Sequence, residues 1–377
     1  MTGSFKAADL TVTKTEKCKP IPAPQDLRFG TEFTDHMLTI NWSKATGWAA
    51  PKITPFAPIP MHPGSSVLHY GITCFEGMKA YLGADGKGRL FRPDMNMARF
   101  ARSCARLAMP EFDTKELESC IKELLKVDRA WLPPQDGYSI YIRPFAYGNN
   151  PALGLAAPSE ATICVILSPV GPYYQSGLKP IELFIDELNV RAWPGGSGDS
   201  KVGYNYGPTI KPGMDAARAY GSSQVLYLLP DKQNPDKSTV AECGTMNIMF
   251  VLGPKEAGGK PELVTPPLDG TILPGVTRDS ILRLTRGWGD LEVSERQLTL
   301  GELRAAHAEG RLLESFGCGT AAVVTPVLGY KRANGEVLKS KVDMTQPGGS
   351  VCAKVYEQLT KIQWGKEPQH EWSVPFE

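Results

Sequence analysis

The chain has 377 residues, enough for two hydrophobic cores. Its 41 basic and 40 acidic residues leave a net charge of +1, with no long basic run, which argues against a nucleic-acid partner. Its apolar share of 42% and charged share of 21% are ordinary for a globular protein, and no apolar run is long enough to span a membrane.

The opening stretch, MTGSFKAADLTVTKTEKCKP, has neither an apolar h-region nor an arginine-rich amphipathic pattern. The expected location is cytoplasmic; a trimmed mitochondrial protein would read the same. HMLTINW (36–42) and SIYIRPFAY (139–147) have strand composition. Between them, 94–109 reads as a helix with Met97, Ala101, Cys104 and Ala108 on one face, and 114–132 as a second helix. ATICVILSPVG (161–171) reads as a buried strand, after which prolines and glycines break the pattern. This predicts a small N-terminal α/β domain over 1–170, a linker over 171–182 and a larger C-terminal domain over 183–377.

In the second half, IELFIDE (181–187), SQVLYLLP (223–230) and NIMFVLG (247–253) read as strands, and the polar run 231–239 as a surface loop. Helices are expected over 275–289, 299–312 and 348–365, the second opened by a capping box at 299–302. Interleaved strands and helices give a mixed α/β, or α+β, fold class.

The eight cysteines are scattered without close spacing, so CxxC redox and zinc readings both fail. The five histidines lack the i,i+4 spacing of a helical metal site, and no metal is expected. Around Lys201 the stretch GGSGDSKVGYNYG mimics a phosphate loop, but Ser200 precedes the lysine and Val202 follows it. FGCGTAAVVTP (316–326) contains GxGxxA, but Pro326 arrives too soon for the helix of a dinucleotide fold. Gly317 and Gly319 could still let backbone N–H groups approach an anion. LPGVTRDS (273–280) is a stronger anion site, because a Pro-Gly turn delivers the Val276 and Thr277 N–H groups to a helix N-terminus.

A lysine in a glycine-rich loop, an acidic residue beside a strand (Glu242) and two phosphate-binding segments are what pyridoxal 5'-phosphate requires. The chain resembles the eukaryotic branched-chain amino-acid aminotransferases, a family of fold-type IV pyridoxal-phosphate enzymes. The resemblance runs from FGTEFTDHML (29–38) to IQWG (362–365). It rests on HPGSSVLHYGITCFEGMKAY, LFRPDMNMARF, YIRPFAYGNNPALG, GYNYGPT, GTMN, TPPLDGTILPGVTR and FGCGTA. It implies a two-domain fold with the cofactor site between the domains, and a homodimer. It also implies transfer of the amino group of L-leucine, L-isoleucine or L-valine to 2-oxoglutarate, giving the branched-chain 2-oxo acid and L-glutamate.

Carried over position by position, Lys201 matches the Schiff-base lysine, which also moves the proton at the substrate Cα. Lys211 matches no catalytic position and reads as structural. Tyr206 matches the tyrosine at the cofactor's phenolic oxygen, Glu242 the acid facing the pyridine nitrogen, and Thr245 the hydroxyl beside it that reaches the substrate carboxylate. Arg99, Val276, Thr277 and Thr320 match the phosphate cup. As bare sequence, Arg99 with Arg102 and Arg106 also reads as a solvated helix face. Ala321 matches a backbone N–H that holds the substrate carboxylate.

Phe29, Tyr70, Phe75 and Tyr141 match the apolar wall around the substrate side chain. Leu153 and Leu155 match residues donated by the partner subunit. Arg143 with Tyr70 is expected to receive the γ-carboxylate of glutamate, the alternative being a buried structural arginine. The CxxC pair that animal members carry is replaced by Ala322 and Thr325, Cys318 stands near the site, and Tyr204 takes the place of a common glycine.

Overall fold

The three strand-like runs at 36–42, 139–147 and 161–171 become neighbours in one sheet of a computed structural model that describes residues 3–172, 180–341, 343, 349–367 and 369–377. Residues 173–179 of the expected linker lie outside the described residues. The chain divides into two compact units: Met1–Gln175 with Ser200–Tyr204 and Lys361–Glu377, and Ser176–Asp199 with Asn205–Thr360. The division near 175 falls inside the expected linker, but Lys201 and the C-terminal tail group with the first unit, not with the C-terminal domain expected to carry the lysine. The cause is local: Phe75 N–H donates to the Lys201 carbonyl at 3.0 Å, Val202 bridges Cys74, and the Val202 side chain is wholly buried.

The first unit contains β1 (Thr11–Val12), β2 (His36–Ser43), β3 (Gly47–Trp48), β4 (Lys52–Pro55), β5 (Thr73–Phe75), β6 (Met78–Leu82), β7 (Gly88–Phe91), β8 (Ser139–Gly148) and β9 (Glu160–Val170). Its sheet order is β1-β4-β2-β9-β8-β6-β7 followed by a last strand at Ser373–Pro375, with β3 beside β2 and β5 beside β8. β8 and β9 pair antiparallel in unbroken register from Ser139↔Val170 to Gly148↔Ala161. Alternation along β8 sends Ile140, Ile142 and Ala146 into the core. Two helices pack into the same core, α2 (Pro93–Arg106) through Met97, Phe100 and Cys104, and α3 (Thr114–Val127) through Leu117, Ile121 and Leu124. The short α1 (Ser66–Tyr70) precedes β5.

Both helices stop short of their expected ends. Ala108 takes a left-handed φ of 52° just after α2, ahead of Pro110. Asp128 follows α3 and is claimed by a distant residue: its carboxylate accepts from His36 Nδ1 at 2.6 Å and His36 N–H at 3.1 Å. A 3-10 turn over Arg129–Trp131 replaces the expected last helical turn.

The second unit contains β10 (Ile181–Asp186), β11 (Gln224–Leu229), β12 (Thr239–Cys243), β13 (Asn247–Leu252), β14 (Glu262–Thr265), β15 (Glu292–Glu295), β16 (Leu312–Gly319), β17 (Val323–Lys331) and β18 (Val337–Lys339). Their order is β12-β11-β10-β17-β16-β13-β14-β15, with β18 beside β17. β10 runs parallel to both β11 and β17, so this sheet is mixed. The sequence did not announce α4 (Ile210–Tyr220), because it contains Pro212 and Gly213. Pro212 is tolerated in the first turn, where its missing N–H would have no intrahelical partner. Lys211 pairs with Asp215 on the exposed side of this helix. α5 (Val276–Arg286) and α6 (Leu300–Ala308) form where helices were expected but end three and four residues early, Leu312 opening β16 instead, and Thr299 Oγ1 accepts the Glu302 N–H as the capping box requires. The polar run 231–239 is a loop with one 3-10 turn at Pro235–Lys237, and β12 takes its last residue, Thr239.

Phe250 is wholly buried in the second core and stacks on Tyr330 with ring centroids 6.1 Å apart. Phe250→Ala is expected to cost about 3–5 kcal/mol, read as a lower midpoint in chemical denaturation.

Candidate active site

In the first unit Lys201 is held at both of its peptide groups. Its carbonyl accepts the Phe75 N–H, and its N–H donates to Ser103 Oγ at 2.9 Å. Lys201 Nζ lies 4.6 Å from the centroid of the Phe75 ring. The Arg143 guanidinium approaches the same ring at 4.7 Å and the Tyr141 ring at 5.2 Å, and it donates to the Tyr141 hydroxyl at 3.1 Å. Phe29 meets Tyr141 edge-on at 4.8 Å. Phe75, Tyr141 and Arg143 share the sheet face opposite Cys74, Ile140 and Ile142, which point into the core. Gly77 makes this possible, since a Cβ there would stand 2.0 Å from the Tyr141 hydroxyl.

Of the two residues expected together to receive a γ-carboxylate, Tyr70 donates to the Leu153 carbonyl of its own chain and Arg143 donates to the Tyr141 hydroxyl. Arg143 Nε is buried without a hydrogen-bond partner among the described residues. Leu153 and Leu155 project outward, 66% and 77% exposed.

Arg99 settles its two readings in favour of burial. It is 4% exposed, while Arg102 faces solvent. Its Nε and Nη2 donate to the two oxygens of Glu76 at 2.6 and 2.7 Å. Glu76 is wholly buried and also accepts from Gly77 N–H and Asn96 Nδ2, each at 2.8 Å. Burial pushes the Glu76 carboxyl up. The Arg99 charge and hydrogen bonds, the Lys201 charge and the Gly77 N–H outweigh this and hold it below its ordinary 4.5.

In the second unit Glu242, at the end of β12, is 2% exposed and pairs with Arg191 Nε at 2.6 Å. Its Oε1 accepts from Asn247 Nδ2 at 2.8 Å and from Leu273 N–H at 2.9 Å. Arg191 is itself fixed by the Gly198 and Thr271 carbonyls. Leu273 stands three residues before α5, whose N-cap, Gly275, supplies no side-chain cap for the Val276 and Thr277 end. The carboxylate is thus hydrogen-bonded to the segment that leads into α5. Thr320 and Ala321 occupy the turn between β16 and β17, and Thr245 is exposed in the tight turn between β12 and β13. Tyr206 follows Asn205, which is tied to Ser197 by side-chain and backbone bonds, and its carbonyl accepts from Thr209. Gly317 owes its identity to packing: a Cβ there would meet Cys243 Sγ and Met246 Cε at 2.9 Å. Burial pushes the Cys318 thiol up to about 12.

A profile of the family "Amino-transferase class IV" matches residues 73–330, which span β5 to β17 and include Lys201, Tyr206 and Glu242. A branched-chain-amino-acid aminotransferase of Dictyostelium discoideum is 47% identical over 92% of this chain and 89% of its own length. The chain belongs to the branched-chain-amino-acid aminotransferases of class IV. A cytosolic member from Mus musculus is 45% identical, covering 98% of this chain and 93% of that one. A mitochondrial member from Rattus norvegicus is also 45% identical, covering 99% and 93%. The fold matches a branched-chain aminotransferase from Thermoproteus uzoniensis with a TM-score of 0.69 at 24% identity, over 91% of this chain and all of that one. It also matches the branched-chain amino acid aminotransferase of Thermobaculum terrenum, solved in its PLP form, with a TM-score of 0.67 at 22% identity over 92% of this chain and 100% of that one. No helix among the described residues is long and apolar enough to cross a membrane.

Sequence reasoning named neither Glu76, Asn96 and Ser103 of the first unit nor Arg191 and Asn247 of the second. Glu76 and Asn247 stand inside the matched motifs FEGMKAY and GTMN, but what they hold is distant in sequence. Lys79 was missed as well: it is register partner to Tyr141, and burial pushes its ammonium down to about 8. Arg191→Met would strand the Glu242 carboxylate in the core. It is expected to lower stability by about 3–5 kcal/mol in chemical denaturation. The depressed Glu76 carboxyl contributes stability that is complete above its ordinary 4.5 and is lost as pH falls through its lower folded value. The stability gap between wild type and Glu76→Gln should therefore narrow below pH 4.5, measured by denaturation at stepped pH.

Proposed function

We propose that this aminotransferase uses pyridoxal 5'-phosphate to move the amino group of L-leucine, L-isoleucine or L-valine to 2-oxoglutarate, working as a homodimer. The observation that carries the reading is the Phe75 ring, contacted by both Lys201 Nζ and the Arg143 guanidinium. An amine able to carry a proton stands beside an aromatic wall suited to a branched hydrocarbon side chain, and a cation on that wall suits the second carboxylate of glutamate. The buried Glu242 cluster, joined to the uncapped start of α5, fits a ring that carries a basic nitrogen and a phosphate.

When bound, the cofactor supplies an aldehyde that exchanges with amines and a ring that accepts electron density from the substrate Cα. Lys201 would hold that aldehyde at rest and, once displaced, carry the proton at the substrate Cα. Glu242, paired with Arg191, would face the ring nitrogen and hold a proton there. Tyr206 would donate to the phenolic oxygen, and Arg99, Val276, Thr277 and Thr320 would hold the phosphate. Thr245 and the Ala321 N–H would hold the substrate carboxylate. Phe29, Tyr70, Phe75 and Tyr141 would line the side-chain site, with Arg143 receiving a γ-carboxylate. The outward projection of Leu153 and Leu155 supports their being covered by a second copy.

The purified protein is expected to show the visible absorption of a lysine-bound pyridoxal cofactor, bleached by L-leucine and not by D-alanine. Bleaching by D-alanine alone would overturn the substrate assignment. Lys201→Ala should abolish turnover, and full activity in that variant would remove Lys201 from its role.

A further inference from the structure

We infer that Glu76 is a positioning residue that sets the geometry of the phosphate-binding arginine and ties it to the cofactor lysine; this rests on the reading of Arg99 as a phosphate ligand. The first unit contains a closed ring of bonds. Phe75 N–H donates to the Lys201 carbonyl, and Lys201 N–H donates to Ser103 Oγ. Ser103 Oγ donates to the Arg99 carbonyl one turn back on α2 at 3.0 Å, and the Arg99 guanidinium is gripped by Glu76, the residue next to Phe75. Glu76 closes the ring.

The grip is two-pointed, through Nε on one oxygen and Nη2 on the other, which fixes the guanidinium plane as well as its position. Glu76 is in turn immobilised by Gly77 N–H and by Asn96 Nδ2, which also donates to the Gly77 carbonyl at 3.2 Å. An arginine has several long, rotatable bonds whose ordering would otherwise be paid for when an anion binds. Held beforehand, Arg99 meets a phosphate with that cost already met by folding. The carboxylate also balances the two cations it faces, Arg99 and Lys201.

The test compares affinities of the full-length, cofactor-stripped chain for pyridoxal 5'-phosphate and for pyridoxal, which lacks the phosphate, by fluorescence titration. Glu76→Gln should weaken the phosphorylated ligand about tenfold or more while leaving pyridoxal within about twofold. Asn96→Ala, which loosens Glu76 without removing its charge, should shift the ratio the same way by a smaller factor, and it decides the matter if Glu76→Gln does not fold. Arg99→Met should remove most of the preference for the phosphorylated ligand, and adding Glu76→Gln to it should change the ratio no further. Equal weakening of both ligands by Glu76→Gln would reduce Glu76 to a structural residue and overturn the inference. Tighter binding of the phosphorylated ligand would overturn it too, by showing that the carboxylate only attenuates the arginine's charge. If Arg99→Met keeps the preference, the reading of Arg99 fails and the inference falls with it; if Arg99→Met loses the preference and Glu76→Gln keeps it, only the inference fails.

Discussion

A carboxylate taken out of water must be clasped by donors, and each unit of this chain is organised around one that is. Glu76 is ringed by Arg99, Asn96 and the Gly77 N–H, and Glu242 by Arg191, Asn247 and the Leu273 N–H. Losing one donor would leave a charge in a medium that solvates it poorly, so each cluster holds its strand, helix and turn in a fixed relation. In the first unit the fixed parts are β5, α2 and the Lys201 segment; in the second they are β12, β13 and the start of α5. Phe75, Arg99, Lys201, Glu242, Val276 and Thr277, singled out from the sequence, lie on these parts.

The sheet of the first unit separates its two faces by alternation alone. Along β8 one set of side chains fills the core against α2 and α3, and the other presents Tyr141 and Arg143. The glycine at 77 leaves the space that the Tyr141 hydroxyl occupies, and Phe75 receives both Lys201 and Arg143 on its ring.

Regular elements with a strong period were legible in the sequence, including β8, β9, α2, α5 and the capped start of α6. Where reading failed, a distant partner had decided. α3 ends at Val127 because Asp128 bonds His36, and Lys201 groups with the first unit because Val202 fits its core. α4 was hidden by Pro212 and Gly213, whose local meaning as breakers is cancelled when they fall in a first turn.

By itself the sequence determined the mixed α/β class, the two cores and the family, because motifs and hydrophobic periods are local. Only the tertiary structure decided that Arg99 is buried while Arg102 is not, that Arg143 turns to Tyr141, and that Arg191 clasps Glu242 from 51 positions away. Charge pairing in a core is a matter of distance in space. Spacing along the chain carries no record of which donor will close around a buried acid.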